Sequence, residues 1–240
     1  MAELDGSDER IAALTEEESR LRAELVSAGT NLTAVRREAA ARLGTQVGAE
    51  LAHLAMGGAV VEVTVRHRSD AAGLELPDGQ RVRVAPHGLD EVEILLAANA
   101  GAPPRTVTKA ASGGELSRVM LALEVVSAQG DVPTYVFDEV DAGVGGAAAL
   151  DLGARLARLA EHAQVIVVTH LGQVAAFAAS HHVVHKSSDG AITASDVRTV
   201  DGPERVAEIA RMLGGVTDSA AALEHARELL EEHAPRRLSA

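Results

Sequence analysis

The sequence predicts an α/β fold in which a largely parallel sheet is covered by helices and is preceded by one long helix. Three observations support this prediction. The second half alternates helical segments with short apolar strands, which is typical of parallel sheets buried on both faces. Residues before about position 56 repeat apolar side chains at steps of three and four, which indicates a helix. Aliphatic runs between these two parts indicate further strands.

The first element is a long helix, predicted from about residue 8 to residue 56. A heptad stripe runs along it, with Glu18 at one position of the seam and a change of phase near Leu43. The apolar or small residues of this stripe are Ile11, Leu14, Leu21, Leu25, Ala28, Leu32, Val35 and Ala39. We therefore expect residues 1–57 to form a coiled-coil arm that needs a partner helix. The alternative is an amphipathic helix packed on a globular core.

Residues 58–240 are expected to form one lobe that begins after a helix-breaking Gly-Gly pair. Strands are predicted at 60–65, 81–84, 92–97, 134–137 and 165–169 and near 183 and 192. Helices are predicted at 115–129, 147–161, 171–179, 203–213 and 218–232. A polar loop is predicted after residue 65, with a turn at 77–79, and another loop at 101–104.

Composition restricts the class of protein. The formal net charge is −13, which gives no support for nucleic-acid binding by this chain alone, since such domains are usually basic. The chain has no cysteine, which excludes disulfides and cysteine metal sites and fits a reducing cytoplasm. The acidic N-terminus does not resemble a signal peptide, and no apolar run is long enough to span a membrane. We therefore expect a cytoplasmic protein.

The first candidate site is the helix start at Ser112-Gly113-Gly114-Glu115. A serine followed three residues later by a glutamate is typical of a capping box. The two glycines between them leave backbone N–H groups accessible at the positive end of the helix dipole. Such a helix start binds anions, although capping boxes are also common where nothing binds.

The second and third candidate sites lie where apolar strands end. Asp138 and Glu139 follow one strand, and His170 follows another. Ligands of open α/β sheets bind at the carboxyl ends of strands. One carboxylate there can hold Mg²⁺ through water, and the next can accept a proton from an attacking water. A histidine in this position can donate a hydrogen bond to a phosphate oxygen.

The order of these segments, with Asp141 as a fourth element, resembles the signature motif, Walker B, D-loop and H-loop of ABC ATPases. Four runs resemble the RecN family of SMC-like DNA repair ATPases more closely, and this resemblance covers nearly the whole chain. The runs are KAASGGELSR at 109–118, FDEVDAGVGG at 137–146, THLGQVA at 169–175 and EIARMLGG at 208–215. For residues 58–240 the resemblance implies the C-terminal lobe of an ABC/SMC-type ATPase head.

The resemblance also implies roles for residues at each motif. Asp138 would support Mg²⁺ through water, and Glu139 would be the catalytic base. Asp141 would line the interface between two heads, and His170 would sense the γ-phosphate. Contacts with ATP held by an opposing head are implied for the signature residues Ser112, Gly113, Gly114 and Glu115.

The implied activity is ATP hydrolysis in the recombinational repair of DNA double-strand breaks. The implied partners are the N-terminal half of the same head, a second head in a homodimer, and DNA, which suggests a nucleoid-associated protein. The 240 residues contain no Gly-x-x-x-x-Gly-Lys-Ser/Thr loop, the usual cradle for nucleotide phosphates. We therefore expect a C-terminal half that is inactive alone. The alternatives are a non-catalytic module that binds DNA or another partner, and a different SMC-like ATPase.

Overall fold

The fold is taken from a computed structural model of the chain, which describes residues 2–127, 132–188, 193–214 and 219–235. The side chains of 2–6 and of 186–195 are not described. Four residues of predicted elements, Ala128, Gln129, Ile192 and Asp218, lie outside the described residues.

Sixteen elements follow one another along the described chain, and they include all the predicted helices, although the helix predicted at 171–179 is only four residues long. The helices are α1 (Ala2–His53), α2 (Val107–Ala110), α3 (Gly113–Ser127), α4 (Ala147–Leu159), α5 (Gly172–Ala175), α6 (Gly202–Gly214) and α7 (Ala220–His233). The strands are β1 (Val60–His67), β2 (Ser69–Glu75), β3 (Arg81–Val82), β4 (Asp90–Ala97), β5 (Arg105–Thr106), β6 (Thr134–Phe137), β7 (Gln164–Val167), β8 (His181–Ser188) and β9 (Thr193–Val200).

The α/β class is confirmed, but the sheet is less parallel than the sequence predicts. Among the described strands, only β6 and β7 pair in parallel, with α4 as the crossover between them. Strands β1, β4 and β5 form an antiparallel sheet, and β2–β3 and β8–β9 are antiparallel pairs. Of the described segments that alternate helix and strand, only β6–α4–β7 forms the parallel arrangement that such alternation predicts.

Three elements were not predicted, and two of them are very short. Strand β2 lies in the predicted polar loop. It was not predicted, because its pairing with β3 depends on backbone hydrogen bonds and not on an apolar side-chain pattern. Strand β5 and helix α2 follow the predicted loop at 101–104 and are two and four residues long. Segments of this length carry too few side chains for a recognisable period.

The arm helix α1 has two different apolar faces. The large apolar side chains of the predicted heptad seam are exposed, from 38% at Leu32 to 62% at Val35. A second face docks on the lobe and begins at Val26, which packs beside Leu89. This docked face continues to the helix end, where Val47, Leu51 and Leu54 are fully buried in the main core.

Close approach fixes the docked face of α1 against β1. A Cβ at Gly44 would lie 2.9 Å from the carbonyl oxygen of Val61, so the helix and the strand meet backbone to backbone. The helix ends with Ala55 in the left-handed region, at φ 57°, and Met56 donates its N–H to the carbonyl of Leu51. This is a Schellman ending, which normally uses glycine at the left-handed position.

A buried carboxylate anchors the middle of α1. The side chain of Asp90, at the start of β4, is 0% exposed. Thr33 Oγ1 donates to Asp90 Oδ1 at 2.8 Å, and Arg36 Nη1 donates to Oδ2 at 3.0 Å. Because a buried carboxylate is costly unless it is paired, these contacts fix where the arm leaves the lobe.

The main core joins α1, the β1–β4 sheet, α3 and α4. Helix α3 contributes Val119, Leu121 and Ala122, which are all fully buried. The core therefore holds α3 next to the parallel pair β6–β7, whose carboxyl ends carry the predicted site. No described helix is apolar enough over a sufficient length to cross a membrane.

Candidate functional site

The start of α3 has half of a capping box. Ser112 N–H donates to Glu115 Oε2 at 2.8 Å, and the Ser112 hydroxyl donates to the same oxygen at 3.0 Å. The bond from the Ser112 N–H lowers the pKa of Glu115 most, and the Ser112 hydroxyl and the charge of Arg118 also lower it against the effect of burial. The glutamate thus fixes Ser112 at the tip of the helix.

The two signature glycines let α3 approach the acidic turn of its own chain. A Cβ at Gly113 would lie 3.0 Å from Glu139 Oε2. At Gly114 it would lie 2.7 Å from the Glu139 carbonyl oxygen and 2.8 Å from the Ala142 Cβ. Side chains would therefore separate the helix start from the turn that carries Glu139.

The acidic turn itself has a strained backbone. Asp138 and Glu139 are both exposed, and Glu139 has φ 57°, a conformation that costs a non-glycine residue about 1–2 kcal/mol. The Glu139 N–H donates to Asp138 Oδ1 at 2.9 Å, and Ser117 Oγ donates to the Asp138 carbonyl at 3.0 Å. Such strain persists only where neighbouring contacts impose it, and it is frequent at functional sites.

Asp141 connects this turn to the histidine segment after β7. Its Oδ2 accepts hydrogen bonds from Thr169 Oγ1 at 2.5 Å and from the His170 N–H at 3.0 Å, and it lies 3.0 Å from His170 Nδ1. The Asp141 side chain is 5% exposed, whereas that of His170 is 73% exposed. The predicted position of Asp141 at an interface between heads is not tested by these contacts and stays a prediction.

The structure brings all the predicted site residues to one edge of the molecule. Strands β6 and β7 end side by side, and the Val168 N–H donates to the Phe137 carbonyl at 2.9 Å beyond the paired residues. The acidic turn follows β6, the histidine follows β7, and the start of α3 packs on the turn. Parallel strands place their carboxyl ends together, which is why the motif order predicts this arrangement.

Sequence reasoning missed three residues that organise this edge: Ser117, Arg118 and Thr169. Arg118 is 6% exposed and donates to the carbonyl oxygens of Val140 and Ala142. A hydroxyl or guanidinium that binds backbone carbonyls produces no motif of its own. The one available signal was an arginine on the predicted helix that carries the signature residues.

The arm helix, the α/β lobe and this set of motifs at one edge match the C-terminal lobe that the sequence predicts from its resemblance to SMC-like ATPase heads. In sequence, the chain is homologous to the RecN DNA repair proteins. It is 57% identical to the protein of Streptomyces coelicolor over 218 residues, which are 90% of this chain and 38% of that protein. This similarity confirms the resemblance that the motifs indicate.

More distant RecN proteins match over a similar extent. The chain is 48% identical to the protein of Mycobacterium tuberculosis over 240 residues, 96% of this chain and 40% of that protein. It is 34% identical to the protein of Bacillus subtilis over 233 residues, again 96% and 40% of the two chains. The chain thus spans about 40% of the length of these curated relatives. No protein-family model matches it.

Among solved structures, the chain is similar to the Smc head domain of Pyrococcus furiosus with an extended coiled coil, bound to the C-terminal domain of ScpA. The TM-score is 0.46 at 21% identity, covering 85% of this chain and 40% of that chain. The Smc head domain of Pyrococcus yayanosii with a coiled coil and joint gives a TM-score of 0.45 at 21% identity, over 82% and 30% of the two chains.

Proposed function

We propose that this chain supplies the signature helix and the hydrolytic residues of a composite ATP site in a RecN-type DNA repair ATPase. The observation that carries the proposal is the edge where the start of α3, the acidic turn and His170 meet. Its residues serve two nucleotides: the start of α3 faces ATP held by a second head, and Glu139 and His170 act on ATP held by their own head.

The start of α3 binds the γ-phosphate through backbone N–H groups. Gly113 is exposed and Ser112 forms the exposed tip, so both can reach a ligand outside the chain. The helix dipole adds a partial positive charge at this point. Glu115 holds Ser112 in place and leaves phosphate contact to the backbone.

The donor set at the acidic turn fits a bound Mg²⁺. Among the described residues, no group of three or more His, Cys, Asp or Glu side chains is placed to hold a metal ion. Mg²⁺ usually binds through one or two carboxylates, waters and the substrate phosphates, which one exposed Asp138 can satisfy. When bound, the ion neutralises phosphate charge. Glu139 accepts the proton of the attacking water.

The contact with Asp141 orients His170 for its role. His170 Nδ1 lies 3.0 Å from the buried Asp141 Oδ2, while the histidine side chain as a whole is 73% exposed. The carboxylate thus holds one side of the ring, and Nε2 on the other side is left to meet the phosphate. A carboxylate behind a histidine commonly fixes both the tautomer and the ring orientation in this way.

ATP must be held by residues outside these 240, since they contain no phosphate-binding loop. The N-terminal half of the same head provides this loop in our proposal, a second copy provides the opposing head, and broken DNA is the substrate of the repair reaction. The chain alone is expected to hydrolyse ATP no faster than its own Glu139→Gln variant.

A chimera tests this proposal. This chain replaces the matching segment of the Streptomyces coelicolor RecN, and phosphate release is measured at saturating ATP. We expect turnover that falls on the order of 10²-fold or more with Glu139→Gln, the contribution of a positioned base. The exposed Glu161→Gln, just after α4, is the matched control and leaves the rate unchanged. Turnover that is equal in all three proteins would refute a hydrolytic role for Glu139.

A further inference from the structure

Arg118 is a buried arginine in an unusual setting. It lies on α3, is 6% exposed, and its Nη1 donates to Ala142 O at 2.8 Å and to Val140 O at 3.3 Å. Its Nε is buried without a hydrogen-bond partner among the described residues. Burying a guanidinium to bind two carbonyls is costly, so a well-packed apolar side chain would be the cheaper solution for stability alone.

The two carbonyls that Arg118 binds belong to the turn that follows Glu139. They flank Asp141, whose carboxylate holds Thr169 and His170. Burial lowers the pKa of the Arg118 guanidinium, and the charges of Glu115 and Asp141 oppose this effect. The guanidinium thus interacts with the charges of both acidic residues, the one that organises the start of α3 and the one that holds the histidine segment.

We infer that Arg118 is the positioning residue that locks the turn carrying Glu139 to the signature helix α3. This inference rests on the proposed ATPase function. Arg118 touches neither nucleotide nor water in this role, and it acts through Val140, Ala142 and the strained backbone at Glu139. Because Ser112 begins the same helix, a phosphate bound at Ser112 for one head is coupled to the base that serves the other nucleotide.

If Arg118 only stabilised the fold, replacing another arginine of similar burial and similar partners would lower kcat by the same factor. Arg205 allows this comparison. It is 9% exposed on α6, and its Nη2 donates to the carbonyls of Ala175, Ala176 and Ala178 at 3.2, 3.3 and 2.6 Å. Arg205 therefore resembles Arg118 in burial and in its carbonyl partners, but its loop follows α5 and not the acidic turn.

The experiment measures kcat and KM for ATP in the RecN chimera with Arg118→Met, Arg118→Lys and Arg205→Met. We expect Arg118→Met to lower kcat on the order of 10²-fold, as for a small misplacement of a catalytic group, while KM changes little. Arg118→Lys recovers part of the rate, because an ammonium can donate to the same carbonyls. Arg205→Met lowers stability without lowering kcat. Equal losses of kcat in Arg118→Met and Arg205→Met, or unchanged kcat in Arg118→Met, would overturn the inference.

Hydrogen exchange on the 240-residue chain separates this inference from the proposed function. The N–H groups of Ala142 and Val144 are bonded within the turn, to Glu139 O and Asp141 O, both at 3.0 Å. Arg118→Met should accelerate exchange at these two amides, and Arg205→Met should not. Suppose that Arg118→Met accelerates exchange in the 240-residue chain but the chimera without this substitution has no ATPase activity. That result would support the positioning role and refute the ATPase proposal. Unchanged exchange would overturn the positioning role even in an active chimera.

Discussion

His170 Nδ1 lies 3.0 Å from the buried Oδ2 of Asp141, so two different motifs of this chain meet in one close polar contact. The same oxygen accepts the His170 N–H and the Thr169 hydroxyl. One carboxylate atom therefore fixes the backbone and the ring of the histidine segment together. This contact connects the acidic turn after β6 to the end of β7.

Replacement of Asp141 tests this connection. Asp141→Ala removes three contacts at once, and we expect the free energy of unfolding to fall by about 2 kcal/mol or more, the range for hydrogen bonds to a charged group. Thr169→Val removes only one of the contacts and should cost less. Urea denaturation measures both, and amide exchange at His170 should accelerate in Asp141→Ala. An equal loss of unfolding free energy in the two variants would show that the contacts between Asp141 and His170 do not contribute to stability.

The capping glutamate gives a pH-dependent prediction. The pKa of Glu115 is lower in the folded chain than its ordinary value of 4.5. Its ionised form therefore contributes stability above about pH 4.5, and that contribution is lost as the pH falls through the lower folded-state pKa. The stability difference between the wild type and Glu115→Gln should shrink from pH 7 to pH 3.5 in urea denaturation. A difference that grows on acidification would contradict the contacts at Ser112.

Two glycines four residues apart in α1 should respond oppositely to alanine. At Gly48 no atom lies within 4 Å of an added Cβ, so Gly48→Ala should stabilise the chain by about 0.5–1 kcal/mol through helix propensity. At Gly44 the Cβ would meet the Val61 carbonyl at 2.9 Å, so Gly44→Ala should destabilise the chain despite the same gain in propensity. Thermal or urea denaturation of both variants measures the difference. Equal stabilisation would mean that α1 does not dock closely on β1.

The exposed seam of α1 should drive association. Leu14 and Leu21 are 61% and 49% exposed, and each buried leucine is worth roughly 1.5–3 kcal/mol. We expect concentration-dependent association of the chain by light scattering, which the double variant Leu14→Gln with Leu21→Gln weakens. Glu9→Gln with Glu16→Gln, also seven residues apart but on the outer face of the heptad, is the control. A wild-type chain that remains monomeric at high concentration would contradict a coiled-coil seam.

The two faces of α1 explain how far the sequence predicts this fold. The exposed seam has a regular heptad and was predicted. The docked face was visible only as a change of phase near Leu43, because much of it is small or polar, as at Gly29, Thr33 and Gly44. Its contacts depend on the close approach of β1 and on Asp90, which no local pattern specifies. Removing the arm at residue 57 would therefore also remove Val47, Leu51 and Leu54 from the core.

The candidate site, like α1, was predicted where a local sequence pattern exists and was not predicted where tertiary contacts decide. Ser112, Asp138, Glu139 and His170 were predicted, because they end strands or begin a helix, and the carboxyl edge of a parallel pair brings such positions together. The role of Asp141 towards His170 was not predicted, since it depends on the tertiary contact between two loops 28 residues apart.

The central claim is that Ser112 acts on the nucleotide of the opposing head, whereas Glu139 acts on the nucleotide of its own head. Mixing two inactive RecN chimeras, Ser112→Arg and Glu139→Gln, tests it most directly. Mixed dimers hold one site with an intact Ser112 from one head and an intact Glu139 from the other. Phosphate release should therefore recover to roughly a quarter of the wild-type rate, since about half of randomly assembled two-fold dimers are mixed and each has one intact site. A mixture as inactive as either variant alone would contradict the account.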